Sequence, residues 1–474
     1  MFDNIILLTD SYKVSHAVQY PPNTSKVYSY FESRGGEFKE TVFFGLQYFL
    51  KRYLEGCVVT LEHIVNAKKF LDAHLGPGRF QEDRWQYILE KHGGKLPVRI
   101  KAVPEGTVVP TRNVLMTIEN TDPECFWLTN YLETLLVQTW YSSTTATVSR
   151  EMKKLLNASL IKTGDPAGLP FKLHDFGFRG VSSVESAGLG GAGHLVNFQG
   201  TDTMAALEVC ARVYEEPMAG FSIPAAEHST ITSWGREGET AAYRNMLEQF
   251  PTGLVAVVSD SWDIFNACKH IWGEKLKDQV MARKDGFLVI RPDSGDPRVV
   301  LPQLLHTLST RFECYTNDKG YKVLPNQVRL IQGDGIRRET LGEIINAVNE
   351  AGWSTDNLAF GSGGGLLQDC NRDTSEYAFK CSYMEYTTDD GLETFSTEVY
   401  KQPVGAAWKK SKRGRLALVK HPMFETVHGS QWATVPERFS NIAGVGGDQL
   451  RTVFEDGYCQ NSTTLAEVRK RAAL

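Results

Sequence analysis

Seven short apolar runs in this chain each end on side chains that can do chemistry. In FSIPAAEHSTI (221–231), Pro224 and two alanines lead into Glu227, His228, Ser229 and Thr230. That order suits a strand that stops at a turn and hands polar groups to a following helix. A lone histidine there reads equally well as a packed helix cap. Repetition favours the other reading. KLHDFGFRG (172–180), VNFQGTDT (196–203), VAVVSDSWD (255–263), LVIRPDSGD (288–296), VRLIQGDG (328–335) and LAFGSGGG (358–365) end the same way. Helix-length segments follow the runs, so a βα-repeating sheet or barrel is expected, with its active site at the carboxyl ends of the strands.

The residue types at those ends point to a ligand. Arg291 offers a fork for a phosphate or sugar oxygen, and Asp293 an acceptor for ribose hydroxyls or a Mg²⁺ shell. Gln332-Gly333-Asp334-Gly335 repeats the pattern, with glycines that admit backbone to a ligand. Ser362-Gly363-Gly364-Gly365 presents bare backbone N–H groups, a phosphate cradle. Three such turns in succession make a phosphorylated sugar the favoured ligand. Phe176 and Phe178, beside Arg179, are either core residues or a stacking face for a flat heteroaromatic ring. Asp202 is either a helix N-cap or an acceptor for an amide or amine on that ring. The run 188–193 matches GxGxxG, but a Ser-rich, helix-like segment precedes it, so these glycines read as packing rather than as a dinucleotide site.

Composition sets the frame around these residues. The 474 residues exceed one ordinary core. At 42% hydrophobic and 23% charged the chain is of globular type, and a net charge of −5 gives no footprint for nucleic acid. One basic run, 409–415, reads as a solvated loop or a polyphosphate contact. The eight cysteines form no CxxC pair, so free thiols and a cytoplasmic location are expected, without a zinc site. No apolar stretch reaches the roughly 18 residues that a membrane span requires.

Three regions are expected: an α+β domain over 1–147, an α/β barrel catalytic domain over 148–378, and a segment over 379–474 that packs back on the first. Within the first, the pattern predicts a strand at 5–8, another at 26–34, and helices over 41–54, 60–75 and 81–92. Antiparallel strands over 98–120 and a helix over 126–146 follow.

DSYKVSHAVQYPPNTSKVYSYFESR, KLHDFGFRGVSS, NFQGTDT, IPAAEHSTITSWG, VVSDSWDIFNAC, IRPDSGDP, QGDG and FGSGGGLLQ together resemble the nicotinamide phosphoribosyltransferases of the NAPRTase family. These are phosphoribosyltransferases of the second structural type, built on an α/β barrel. The acidic pair before a Thr-Gly-Gly-Thr loop that marks the other type is absent. The resemblance implies transfer of phosphoribose from phosphoribosyl pyrophosphate to nicotinamide, with Mg²⁺, and with ATP as a co-substrate that phosphorylates His228. It implies stacking of the ring between Phe176 and Tyr12 of a partner subunit, hence a homodimer with shared active sites.

The same resemblance gives Asp202 the carboxamide NH₂, Arg179 its oxygen or a nearby phosphate, and Ser222 a place in the substrate site. Arg291, Asp293, Gly333, Asp334, Gly363, Gly364 and Arg372 fall where the family holds ribose and phosphate. Asp260 falls where it orients the His228 ring. Arg34, Lys380, Lys401 and Lys409 reach pyrophosphate or ATP. Departures are Phe178 in place of tyrosine, a shorter segment at 34–41, and extra glycines at 190–193. Two other readings remain: a nicotinate-using sister enzyme, which Asp202 disfavours by charge, and a non-catalytic binding protein on this fold.

Overall fold

The computed structural model describes residues 3–402, 404–405, 410–441 and 446–474. The chain divides into two compact units, one of residues 1–144, 213–215 and 370–473, the other of 145–212 and 216–369 plus the last residue. The divisions at 144 and 369 fall earlier than the expected 147 and 378, and three residues near 214 join the first unit.

Unit 2 is built on a parallel sheet. Among the described residues its strand order is Gly200–Thr201, Leu173–Asp175, Leu358–Ser362, Val328–Gln332, Leu288–Arg291, Val255–Val258. All five pairings are parallel. Sequences such as VAVV and LVIR suit strands covered on both faces. The intervening helices carry the complementary stripe: Leu341, Ile344, Ile345 and Val348 are the buried residues of Arg338–Glu350, at helical spacing. Local chemistry starts these helices. Pro297 opens Pro297–Ser309 while Asp296 accepts the Arg298 N–H at 3.0 Å.

The run FSIPAAEHSTI forms no regular strand, in contrast to the expectation. Pro224 has no N–H to give a ladder. Residues 221–226 instead link the two edges of the sheet by isolated parallel bridges, Gly200 to Phe221 and Ala225 to Ala256. Thr201 N–H donates to Phe221 O (3.0 Å), Phe221 N–H to Gln199 O (2.7 Å), Ala226 N–H to Ala256 O (2.9 Å) and Ala256 N–H to Pro224 O (2.9 Å). The sheet is thereby closed into a ring. Ala256, Val289 and Ile331 form a buried cluster, with Phe176, Ile223, Phe287 and Ala359 packed on it.

The GxGxxG segment lies inside the helix Val184–Leu195. An added Cβ at Gly188 would stand 2.9 Å from Val209, and one at Gly191 2.6 Å from the Ala206 methyl. These glycines serve close packing, as the sequence suggested.

Among the described residues, unit 1 holds a seven-stranded antiparallel sheet: Thr394–Glu398, Tyr377–Thr387, Thr24–Ser33, Val114–Asn120, Val98–Ala102, Arg451–Glu455, Tyr458–Cys459. Strands from both ends of the chain thus share one sheet. Several local expectations fail here. Ile5–Leu7 is a 3₁₀ turn capped by Asn4, not a strand. Residues 41 and 42 belong to the strand Glu40–Val42, and the helix starts only after Gly45, whose φ of 99° halts the extended chain. The expected helix over 126–146 is two short helices and then Thr139–Thr163, which continues well past it.

Candidate active site

The polar strand ends of unit 2 line an open cavity of about 650 Å³. Phe176 forms part of its wall, half-buried on the apolar cluster inside the sheet. Gly361 makes room for that ring, since a Cβ there would stand 2.0 Å from it. Phe178, Arg179 and Asp202 line the cavity from the strands ending at Asp175 and Thr201. Phe178 and Arg179 are exposed. Arg291, Asp293, Gly333, Asp334, Gly363 and Gly364 line it from the next three strand ends. Gly180 and Thr203 also face it, although neither drew notice in the sequence. Ser222 joins through a hydrogen bond from its Oγ to Asp202.

Arg291 donates from Nε (3.1 Å) and Nη2 (2.9 Å) to Asp293 Oδ1, and its guanidinium lies 5.8 Å from the Phe176 ring centre. Arginine and aspartate therefore hold each other in register beside the aromatic face. A second network adjoins them. His228 Nε2 lies 2.9 Å from Asp260 Oδ1, while Asp260 Oδ2 accepts from the Asp293 N–H at 3.1 Å and from the Ser294 hydroxyl. Asp260 is nearly buried, its side chain 5% exposed, and His228 is open at 47%. A carboxylate only accepts, so the ring donates to it from Nε2. Ser294 was missed because a serine in a turn carries no distinguishing signal.

Asp175 sits behind this cavity, its main-chain oxygen accepting the Asp202 N–H at 2.9 Å; nothing in its spacing marks it out. It is fully buried, and burial pushes its carboxyl from an ordinary 3.8 up to about 6. The Gly177 N–H pulls the other way, while the Asp202 charge adds to the rise.

Unit 1 has its own cavity, about 630 Å³, lined in part by Tyr12, Arg34, Arg372, Lys380 and Lys401. Arg372, expected among the residues that hold ribose and phosphate, follows the last parallel strand in sequence and lines this unit 1 cavity. Burial holds the Lys380 ammonium below its usual range; Glu133 opposes this, and the Arg34, Arg372 and Lys401 charges add to it. Such a crowd of like charges fits an anion. Arg34 is anchored by Nε on Glu32 at 3.0 Å, while its Nη2 is buried without a hydrogen-bond partner. Tyr12 is 60% exposed. Lys409 lies outside the described residues. Much of the basic run is neutralised within unit 1: Lys412 pairs with Glu32, Arg413 with Glu398 at 3.4 Å, and Arg415 with Glu119 at 2.7 Å.

Elsewhere in unit 1, His92, Asp122 and Cys125 each bring one ligand atom within 4.8 Å of the others. Asp122 Oδ2 is already engaged by His92 Nε2 at 2.7 Å and by the Tyr87 hydroxyl at 3.0 Å.

Residues 171–470 match the family described as nicotinate phosphoribosyltransferase (NAPRTase), and residues 4–100 match the N-terminal domain of nicotinamide phosphoribosyltransferase. A nicotinamide phosphoribosyltransferase of Xanthomonas campestris pv. campestris is 51% identical, covering 99% of this chain and 98% of its own. One from Acinetobacter baylyi is 33% identical, over 98% and 96%. Among solved structures, the nicotinate-nucleotide pyrophosphorylase of Pyrococcus furiosus superposes with a TM-score of 0.61 at 16% identity, over 100% of this chain and 95% of its own. Human nicotinic acid phosphoribosyltransferase gives 0.56 at 15%, over 98% and 93%. At those identities the structures speak for the fold.

The raised Asp175 carboxyl has a measurable consequence. Below pH 3.8 it is neutral in both folded and unfolded chains; as pH rises to about 6 the unfolded chain loses the proton first, so folding loses stability. Asp175→Asn is expected to gain on the wild type over that window. The gain levels at about 2–3 kcal/mol above pH 6, read from urea unfolding. A constant difference between pH 4 and pH 7 would contradict it.

Proposed function

Since the chain belongs to the nicotinate phosphoribosyltransferase (NAPRTase) family, we infer that it transfers phosphoribose from phosphoribosyl pyrophosphate to the ring nitrogen of nicotinamide. The products are nicotinamide mononucleotide and pyrophosphate. The observation that carries the amide reading is Asp202, a carboxylate in the wall of the Phe176 cavity. It accepts from a carboxamide NH₂ and repels the carboxylate of nicotinate. Ser222 already donates to it, which leaves its remaining lone pairs for the amide.

The flat base stacks on Phe176, with Arg179 on its carboxamide oxygen or a nearby phosphate. Arg291 and Asp293 take phosphate and ribose oxygens, Asp334 a ribose hydroxyl, and the bare backbones at Gly333, Gly363 and Gly364 admit the sugar phosphate. The ring nitrogen bonds to the sugar C1 as the C1–oxygen bond breaks, and the electron pair leaves with pyrophosphate. Held in line, the reactants need positioning and charge stabilisation more than proton transfer.

The donor set suits Mg²⁺ held chiefly through substrate phosphates: Asp334 lines the cavity and Asp293 meets Arg291 by Oδ1 alone. That ion would neutralise the departing pyrophosphate. His228 accepts the γ-phosphoryl of ATP on Nδ1, with ADP leaving, and Asp260 fixes the ring that does so. In a homodimer, the unit 1 cavity of one copy brings Tyr12 to the base and Arg34, Arg372, Lys380 and Lys401 to the phosphates of its partner. Lys409 belongs to the same set. Support comes from the crowding of those cations and the exposure of Tyr12. The lack of a CxxC pair in the sequence suits a reducing, cytoplasmic setting.

Purified protein given both bases with phosphoribosyl pyrophosphate is expected to form nicotinamide mononucleotide, detected by mass, far faster than the nicotinate product. Faster turnover of nicotinate overturns the amide assignment, and no pyrophosphate release at all revives a non-catalytic binding role. His228→Ala is expected to keep nicotinamide binding, measured by calorimetry, and to lose the stimulation by ATP. Persistence of ATP stimulation in that variant rules out the phosphohistidine. Tyr12→Ala and Asp202→Ala, each nearly inactive alone, are expected to recover about a quarter of wild-type activity when refolded together, because mixed dimers hold one intact site. Absence of any recovery in confirmed mixed dimers sinks the shared site.

A further inference from the structure

The carboxyl of Asp175 takes no part in the bond changes at the sugar, yet it sits beneath the ring subsite and joins its walls. Its Oδ1 accepts the Gly177 N–H at 2.7 Å, closing the turn that follows Phe176. Its main-chain oxygen accepts the Asp202 N–H at 2.9 Å. In the sheet it is paired with Thr201 on one side and Ser362 on the other, and Ser362 O accepts the Phe176 N–H at 2.9 Å. The two side chains assigned to the base, Phe176 and Asp202, therefore both take their bearings from this residue.

The turn has little freedom to find another geometry. A Cβ on Gly177 would stand 2.7 Å from the Leu367 side chain and 2.9 Å from Gly363 O, so the backbone passes close against the glycine strand end. The other carboxyl oxygen, Oδ2, is buried without a hydrogen-bond partner, and the Gly191 backbone approaches so closely that a Cβ there would stand 2.9 Å from it. An unpaired buried carboxylate oxygen is unfavourable for folding. Sites that keep such a group against stability are sites where geometry matters for something else.

We propose that Asp175 is a positioning residue for the aromatic base: its side chain fixes the Phe176–Gly177 turn and its main chain the Asp202 loop. The proposal rests on the nicotinamide reading of that cavity. It locates the precision of the ring subsite in a residue that never touches the ligand. Loss of the side-chain acceptor loosens the ring wall while leaving the sugar turn at Arg291 and Asp293 intact.

Steady-state kinetics with full-length protein separate this role from general support of the fold. Asp175→Ala is expected to raise KM for nicotinamide about ten-fold, with kcat and KM for phosphoribosyl pyrophosphate within about two-fold of wild type. Asp175→Asn, which keeps the Oδ1 acceptor, is expected to restore KM to within about two-fold. If the alanine variant does not fold, Asp175→Ser keeps a weaker cap on the Gly177 amide and is expected to show the same selective rise, smaller in size. An unchanged nicotinamide KM in a folded alanine or serine variant overturns the proposal. So does a parallel loss in kcat and both KM values, or an asparagine variant as impaired as the alanine one. Failure of the wild type to use nicotinamide would instead overturn the substrate reading and is seen before any variant is made.

Discussion

Every strand of the unit 2 sheet runs parallel to its neighbours, so the residue that follows each strand emerges at the same end. What brings the first and last of these ends together is the main chain on either side of Pro224, bonded to Gln199 and Thr201 on one edge and to Ala256 on the other. Without that closure, Ser222 and Asp202 would lie at one margin of an open sheet and Asp260 at the opposite one. With it, His228, Asp260, Asp293, Arg291 and the wall of the Phe176 cavity are linked by contacts of a few ångströms.

Charge is divided between the two units in a way that follows the proposed chemistry. Unit 2 places acids where a neutral amide and ribose hydroxyls need acceptors and a metal ion would need ligands, and its Arg291 is already balanced by Asp293. Unit 1 gathers cations around Lys380, whose ammonium is held below its usual range chiefly by burial, and with it by the neighbouring cations. Asp260 has a particular place in this scheme. One oxygen meets His228 and the other the sugar turn, so any change in the imidazole's charge acts on the same carboxylate that positions Asp293.

Most of the unit 2 site was legible because each functional residue sat at the end of an apolar run, where period and punctuation coincide. His228, Asp202, Arg291, Asp293 and the glycine turns could be assigned to one ring before any coordinates. Tertiary pairing was less legible. The run 221–225 looks like a strand in composition, but a missing N–H at Pro224 and bonding to two different neighbours leave it as bridges. Ile5 to Leu8 is apolar enough for a strand, yet the Asn4 cap turns it. Arg372 follows the last parallel strand closely in sequence, and nothing local shows that it belongs to the other unit. Ser294 and Asp175 act through hydrogen bonds that no spacing rule encodes.

Gly361 and Phe176 occupy one volume between them: any side chain at the first would stand where the ring of the second now lies. The two positions are consequently bound in space, a larger residue 361 requiring a smaller residue 176. A lineage, natural or in the laboratory, that seeks to accept a bulkier base could not begin by enlarging residue 361. It would have to trim the aromatic first and pass through a form with a hollow floor, which makes the order of mutations, and not only their identity, a barrier to new substrates.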